Sequence, residues 1–175
     1  MLRRETERLA IRPLDLEDAG LMLSIWTDPA FIRNVADRGI RTLAESRQAM
    51  RDGVLKLYEK YGYGPYRVAL KPDDEAIGIC GLFRREGLDH ADIGYALLPA
   101  YYGRGYMIES CRCVLDHARD EIGLDYVTAI VGPENSRSIS LLRKLGLEFE
   151  RMTRLPDDDQ DLALYGIRFD QQKGC

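Results

Sequence analysis

The sequence has few residues of the kinds that hold metal ions, with two histidines and four cysteines among its 175 residues. A zinc site is typically built from Cys-x-x-Cys pairs with histidines nearby. Here the close pair, Cys111 and Cys113, is separated by one residue, and the histidines are His90 and His117. We therefore expect no metal site and interpret the cysteines as reduced thiols. They are Cys80, Cys111, Cys113 and Cys175.

Long apolar runs are also missing, since no stretch approaches the roughly 20 residues that a membrane-spanning helix needs. The charged residues at 3–7 are not followed by an apolar segment, so we expect no signal peptide. Lys and Arg total 25 against 29 Asp and Glu, and this net charge of −4 disfavours nucleic-acid binding. We expect a cytoplasmic protein with no nucleic-acid or membrane partner, folded as a single domain over residues 1–175.

Hydrophobic periodicity and turn signals predict the element order β-α-α-β-β-β-α-β-α-β-β. The predicted strands cover 6–14, 66–70, 75–83, 92–98, 126–131, 147–154 and 161–169. Helices are predicted after Asp15, after the capping box of Thr42 and Glu45, over 104–122 and over 136–145. This order predicts an α+β fold, in which helices pack on a mixed sheet.

The sharpest local feature is a glycine-rich turn, Gly103-Arg104-Gly105-Tyr106-Met107, between an apolar strand and the most amphipathic helix. The start of a helix leaves backbone N–H groups unpaired and carries a positive partial charge. Because glycine lets the backbone approach a ligand closely, this turn can form a cradle suited to phosphate. It is neither a P-loop nor a good dinucleotide fingerprint. Taken alone, it is equally compatible with a plain strand-to-helix turn.

A second motif lies further along, where Asn135 and Ser138 precede Arg143-Lys144-Leu145-Gly146. By themselves, Asn135 and Ser138 are typical of a helix start. Arg143 and Lys144 by themselves would be a solvated face. Neither motif alone indicates a function, but the two at this separation do.

Together these segments resemble the GNAT superfamily of N-acetyltransferases. The resemblance runs from Asp92-Ile-Gly-Tyr-Ala-Leu-Leu-Pro through Gly103-Arg-Gly-Tyr and Glu109 to Asn135-x-x-Ser138 and Arg143-Lys-Leu-Gly-Leu. The opening segment, Thr6 to Leu14, is similar to that of the ribosomal-protein N-terminal acetyltransferases, the RimJ/RimL-like branch. The resemblance implies a mixed, mostly antiparallel central sheet with helices on both faces and two splayed parallel strands, 92–98 and 126–131.

The resemblance also implies acetyl-CoA as the acetyl donor, held in the gap between the splayed strands. By position, the main chain of Leu97 and Leu98 would bond the pantetheine amides, and Asn135 would bond the cofactor near its pantetheine arm. The pyrophosphate would be cradled by Gly103, Arg104, Gly105, Tyr106 and Met107. The chain departs from the family pattern at Ala100, at Met107, where a small residue is usual, and at Leu142, where a tyrosine often protonates the thiolate.

Acetyl transfer to an amine needs an acid for the leaving thiolate and modest help in removing the proton of the ammonium. Ser138 is the candidate thiolate donor, with helix capping or packing as its alternative role. Asp92 is the candidate base, acting directly or through water, and its alternative is a surface carboxylate at a strand end. His90 titrates in the right range but lies in a turn. His117 is expected to be solvated.

The expected reaction is direct transfer to a primary amine such as a protein N-terminus, whose pKa of about 8 demands little base catalysis. Amino acids, polyamines and aminoglycosides stay open as acceptors, and the oligomeric state stays open too, a homodimer included. The acidic run Asp157-Asp158-Asp159 is either a solvated turn or a feature that attracts a cationic acceptor. The alternatives to an enzyme are an acyl-CoA-binding sensor or scaffold of the same fold and an unrelated phosphate binder.

Overall fold

The structure is a computed structural model that describes residues 2–156 and 159–169. Its strands are β1 (Arg4–Glu5), β2 (Leu9–Pro13), β3 (Pro65–Leu70), β4 (Glu75–Phe83), β5 (Asp92–Leu97), β6 (Tyr126–Val131), β7 (Glu148–Thr153) and β8 (Leu162–Arg168). They form one eight-stranded sheet in the order β1-β2-β3-β4-β5-β6-β8-β7. Every neighbouring pair is antiparallel except β5 and β6. The predicted mixed, mostly antiparallel sheet is confirmed.

The helices are α1 (Ala19–Trp26), α2 (Pro29–Asn34), α3 (Leu43–Ala49), α4 (Leu55–Tyr61), α5 (Tyr106–His117) and α6 (Ser136–Lys144). Short 3₁₀ turns precede α1 and α5, and a π-helical turn joins α3 to α4. The side chains of Asp28, Thr42 and Asn135 cap α2, α3 and α6. The capping box predicted for Thr42 and Glu45 is present, so this part of the helix prediction is confirmed.

Helices cover both faces of the sheet. Two successive residues of β4 show this, since successive side chains on a strand point to opposite faces. Ile79 belongs to one buried cluster with Met22 and Ile25 of α1. Cys80 lies on the other face, where its Sγ is 3.6 Å from the Sγ of Cys111 on α5. The arrangement of helices predicted for the sheet is therefore confirmed.

The parallel strands β5 and β6 pair at one position only, where Asp92 lies opposite Thr128. A backbone hydrogen bond from Thr128 N to the carbonyl of Ala91, 2.9 Å long, closes this end. Beyond it the strands separate toward Leu97 and Val131. A sheet whose middle strands part in this way leaves unpaired main-chain groups facing a gap, which must bond to something else.

Two element boundaries differ from the prediction. The first predicted strand, 6–14, is interrupted because the backbone and side chain of Thr6 bond to Leu9 and make a turn between β1 and β2. The helix predicted over 104–122 begins at Tyr106, and its last turn, Ala118–Ile122, is π-helical. It ends at Gly123, whose φ of +77° is a conformation that glycine adopts without strain.

The prediction that His117 is solvated is wrong. His117 lies on α5 with only 2% of its surface exposed. Its Nδ1 is 3.0 Å from an oxygen of Glu121, and its ring meets that of Tyr66 edge-on. The face of α5 that packs on the sheet therefore includes the imidazole of His117 as well as the aliphatic residues from which the buried face was predicted.

Asp157, Asp158 and Cys175 lie outside the described residues. Within residues 2–156 and 159–169, no helix is both long and apolar enough to cross a membrane. The same residues contain no cluster of three or more His, Cys, Asp or Glu side chains placed to hold a metal ion.

The buried His117 makes stability depend on pH. Burial lowers the pKa of His117 below 6.5, and the carboxylate of Glu121 offsets this only in part. As the pH falls from about 6.5 toward the folded-state value, the unfolded chain binds a proton that the folded chain does not. The free energy of unfolding should therefore decrease across this range. Urea titrations of the wild type from about pH 7.5 to pH 5 should show the decrease.

The variant His117→Gln is the control for this prediction, because it removes the titrating ring and keeps a polar side chain of similar reach. Its unfolding free energy should change less over the same pH range than that of the wild type. Parallel curves for the two proteins would contradict the prediction.

Candidate active site

The main chain of β5 presents free polar groups to the gap at every second residue. Leu98 N donates to the carbonyl of Ile77 at 2.8 Å, so the even-numbered residues of this strand bond toward β4. The N–H and C=O groups of Tyr95 and Leu97 therefore point toward β6. Leu98 is different, because its carbonyl also accepts from Tyr101 N, at 3.0 Å. Of the two residues expected to bond a pantetheine arm, Leu97 is the one with free groups facing the gap.

The glycine turn lies at the mouth of the gap and leads into α5. Gly103 and Gly105 have φ values of +76° and +81°, which favour glycine strongly. Gly105 is the N-cap of α5, and no side chain caps this helix. The α-helices α2, α3 and α6, in contrast, each carry a side-chain cap. The N-terminus of α5 is thereby left with amide groups available to an anion.

Arg8, in the turn that precedes β2, forms hydrogen bonds with the glycine turn and with α5. Its Nη1 donates to the carbonyl of Arg104 at 2.9 Å, and its Nε donates to Glu109 at 2.7 Å. The guanidinium lies 4.7 Å from the centre of the Tyr106 ring. Arg8 thereby fixes the orientation of the Arg104 carbonyl within the turn.

Glu109, one turn into α5, anchors this arrangement. It accepts hydrogen bonds from the hydroxyl of Thr6 at 2.6 Å and from the backbone N–H of Arg8 at 3.0 Å. Burial opposes its ionisation, but the bonds from Thr6 and Arg8 outweigh that effect and lower the pKa of Glu109. The sequence placed Glu109 on the polar face of its helix, and the role of Arg8 was missed. The signal available was the Thr6-x-Arg8 pair in the opening segment.

Asn135 and Ser138 lie on the other side of the gap, at the start of α6. The Asn135 side-chain oxygen accepts from Ser138 N at 3.1 Å, so the helix-cap interpretation is correct for this oxygen. The amide NH₂ of Asn135 remains available as a donor. The Ser138 hydroxyl is 2.8 Å from the hydroxyl of Tyr95 on β5, a contact that bridges the two walls of the gap.

Tyr95 was not singled out by the sequence. Burial raises the pKa of Tyr95 far above that of a free phenol, so the residue stays protonated. It can therefore donate a hydrogen bond to the Ser138 oxygen beside it. The residue that replaces the family's tyrosine, Leu142, is fully buried and belongs to the core.

The other departures from the family pattern are accommodated without filling the cradle. Met107 is 9% exposed and contributes to the main hydrophobic core, so its longer side chain is directed into the protein. Ala100 is exposed on the 3₁₀ turn that precedes the glycine turn.

Asp92 lies where β5 and β6 meet and is buried, with 1% of its surface exposed, contrary to the alternative of a surface carboxylate. Its Oδ2 accepts from Arg85 Nε at 2.8 Å, while its Oδ1 has no hydrogen-bond partner among the described residues. Burial raises the pKa of Asp92, and the charge and hydrogen bond of Arg85 act in the opposite direction. A buried carboxylate whose pKa is raised and whose Oδ1 is unpartnered among the described residues is a candidate proton acceptor. His90 lies elsewhere, with its exposed ring edge-on against Tyr126.

A family model described as an acetyltransferase (GNAT) domain matches residues 8–148. The chain belongs to the GNAT acetyltransferase family. The predicted family and the prediction of an acetyltransferase are both confirmed. The "uncharacterized N-acetyltransferase p20" of Bacillus licheniformis is 30% identical over 151 residues, which cover 85% of this chain and 84% of that protein.

Solved GNAT structures share this fold. An acetyltransferase from Agrobacterium tumefaciens is 23% identical, with a TM-score of 0.81 over 97% of this chain and 95% of the other. RimL, a ribosomal L7/L12 alpha-N-protein acetyltransferase solved in complex with coenzyme A, is 19% identical, with a TM-score of 0.82 over 97% of this chain and 99% of its own. At these identities the likeness concerns the fold.

The contacts of Arg8 predict a loss of affinity for CoA in the variant Arg8→Ala. Without the bond to the Arg104 carbonyl, the glycine turn would lose a contact that fixes its shape. A charge-assisted hydrogen bond of this kind contributes about 1.5 kcal/mol, or about tenfold in the dissociation constant. Titration calorimetry with CoA measures the change.

The matched control is Arg3→Ala, which removes an exposed arginine from the same segment. Pantetheine, which lacks the diphosphate, provides a second control, because Arg8→Ala should leave its affinity unchanged. An equal loss for CoA and pantetheine would mean that Arg8 supports the fold rather than the glycine turn.

Proposed function

We propose that this GNAT enzyme transfers the acetyl group of acetyl-CoA directly to a primary amine, with residues 1–175 acting as one domain. The observation that carries the proposal is the gap between β5 and β6. It is closed at the Asp92–Thr128 pair, is lined by free main-chain groups of β5, and has the uncapped start of α5 at its mouth. An elongated molecule with amide groups in its middle and phosphates at one end fits this arrangement.

The cofactor would be held by three sets of groups. The main chain of Leu97 faces the gap and would bond the pantetheine amides. The amides of Gly103, Arg104, Gly105, Tyr106 and Met107 would face the pyrophosphate, and the positive φ of Gly103 and Gly105 shapes this turn. The NH₂ group of Asn135 would donate to the pantetheine arm, while its oxygen continues to cap α6.

The transfer itself needs little specialised chemistry once the reactants are aligned, because proximity can contribute about 7 kcal/mol or more. The amine nitrogen attacks the acetyl carbonyl carbon, and a main-chain N–H of β5 that faces the gap would stabilise the oxyanion. The new C–N bond forms as the C–S bond breaks. The ammonium proton passes to Asp92, directly or through water.

The thiolate would take its proton from Ser138. As it gives up this proton, the Ser138 hydroxyl would take through water the second proton that the attacking nitrogen loses. The Tyr95 hydroxyl, which is within hydrogen-bond distance and stays protonated, would hold the Ser138 oxygen in place. A leaving thiol with a pKa of about 8.5 needs only modest acid catalysis, so this pair is sufficient although Leu142 replaces the usual tyrosine. We place the reaction in the cytoplasm, in keeping with the unbridged, buried thiols of Cys80 and Cys111.

The direct test is a thiol-release assay with acetyl-CoA and a panel of peptides and small amines, with mass spectrometry of the acceptor. We expect release of one CoA thiol for each acetylated amine. Stoichiometric binding of acetyl-CoA without release for any amine would overturn the proposal and favour the alternative of an acyl-CoA sensor or scaffold.

Two substitutions separate binding from proton transfer. Asn135→Asp keeps the oxygen that caps α6 and removes the NH₂ donor, so it should preserve the melting temperature and lower kcat/KM for acetyl-CoA by at least about tenfold. Ser138→Ala should lower kcat by less than that. Ser140→Ala, an exposed hydroxyl on the same helix, is the control and should change neither.

Steady-state kinetics on the three variants decide between the two roles. A greater loss of activity in Ser138→Ala than in Asn135→Asp would show that protonation of the thiolate limits the rate.

A further inference from the structure

Arg38 lies on the segment between α2 and α3 and has no acidic partner among the described residues. Its guanidinium carbon is 5.6 Å from the centre of the Trp26 ring. Burial of the guanidinium among its neighbours and the positive charge of Arg85 lower the pKa of Arg38, although part of the residue remains exposed. Arg41 on the same segment differs, because it forms an ion pair with Asp37 at 2.7 Å. Arg38 therefore lies exposed over the Trp26 ring, with no counter-ion among the described residues.

Arg38 and Arg85 lie on one face of the sheet, beside β5. Trp26, on which Arg38 lies, is buried in the cluster that Ala96 and Leu98 pack against, toward the open end of the gap. Arg85 reaches the same strand nearer its start, where it pairs with Asp92 and where a Cβ placed on Gly94 would be 3.5 Å from its Nη2. Even-numbered residues of a strand share a face, so both guanidinium groups lie on the face of β5 to which Asp92 belongs.

The charges at this end of the gap do not balance. Asp92 accepts from the Nε of Arg85, which leaves the terminal nitrogens of Arg85 with donors to spare. Asp92 pairs with Arg85, and Arg38 has no acidic partner among the described residues, so these two guanidinium groups carry a surplus positive charge. A dicationic acceptor would be repelled here, whereas a carboxylate or phosphate would match the planar donor pattern of arginine.

We propose that the acceptor is an amine that also carries an anionic group, a carboxylate or a phosphate, and that Arg38 and Arg85 bind this group while the amine faces Asp92. The inference rests on the proposed function and names the substrate class of the same site. It opposes the expectation that an acidic surface run recruits a cationic acceptor. It favours amino acids, amino phosphates or peptides with an acidic first residue over polyamines and aminoglycosides.

The experiment compares acceptors in matched pairs with acetyl-CoA as donor. The pairs are an amino acid and its amide, O-phosphoethanolamine and ethanolamine, and a peptide with N-terminal Asp and the same peptide with N-terminal Asn. We expect the anionic member of at least one pair to have a kcat/KM about tenfold higher. The pair that shows the largest ratio distinguishes a carboxylate from a phosphate, and a free amino acid from a peptide.

Arg38→Met tests the residue itself. It should raise KM for the anionic acceptor about tenfold, with kcat and the KM for acetyl-CoA unchanged, and should leave the neutral member unaffected. Arg41→Met, on the same segment but already paired with Asp37, is the control and should change none of these values. Melting temperatures of both variants show whether the fold is intact.

Each outcome decides the inference. Equal or better use of the neutral member in every pair, with thiol release otherwise normal, overturns the anionic acceptor and leaves the acetyltransferase proposal in place. An unchanged anion preference in a folded Arg38→Met variant overturns the role of Arg38. Binding of acetyl-CoA without thiol release for any acceptor is the separate result that overturns the proposed function.

Discussion

Strands β5 and β6 are joined at one residue pair, Asp92 and Thr128, and each then continues with a different neighbour, β4 on one side and β8 on the other. The six other strand junctions among the described residues could not tolerate such a break, because buried backbone groups without partners are costly. Here the cost is offset if a ligand supplies the missing bonds. The placement of the glycine turn, α5 and α6 around the gap follows from this single interruption of the sheet.

Arginine side chains position the polar groups around the gap. Arg8 joins the turn before β2 to the carbonyl of Arg104 and to Glu109, and Arg85 holds Asp92 at the junction of the strands. Both arginines remain partly exposed, with 43% of the Arg8 side chain and 28% of the Arg85 side chain accessible. Their ion pairs therefore add little to the free energy of unfolding and mainly orient the polar groups around the gap. A protein with a net charge of −4 can in this way carry a locally positive site.

Hydrophobic periodicity and turn signals were sufficient to predict most of the helices and strands. In an amphipathic segment such as α5, the spacing of the apolar residues shows which face packs against the sheet. The glycine turn and Asn135 could also be located, since left-handed backbone and helix caps leave local signals. The contacts of Arg8 with Glu109 and of Tyr95 with Ser138 could not, because each joins segments that only the fold brings together. The contact of Arg85 with Asp92, seven residues apart, depends on the shape of the connection between β4 and β5, which the sequence pattern does not give. His117 was misjudged for a related reason: the width of the buried stripe depends on what packs against it.

The link between Arg8 and Glu109 spans 101 positions of the chain. Contacts of such long sequence separation form only after the intervening loop has been closed, so the glycine turn should acquire its final shape late in folding. The same link couples local opening of the first strands to that of the start of α5, because opening of either segment breaks it. Amide protons in β2 should then exchange with solvent on the timescale of those in the first turns of α5, although the two segments are remote in the sequence.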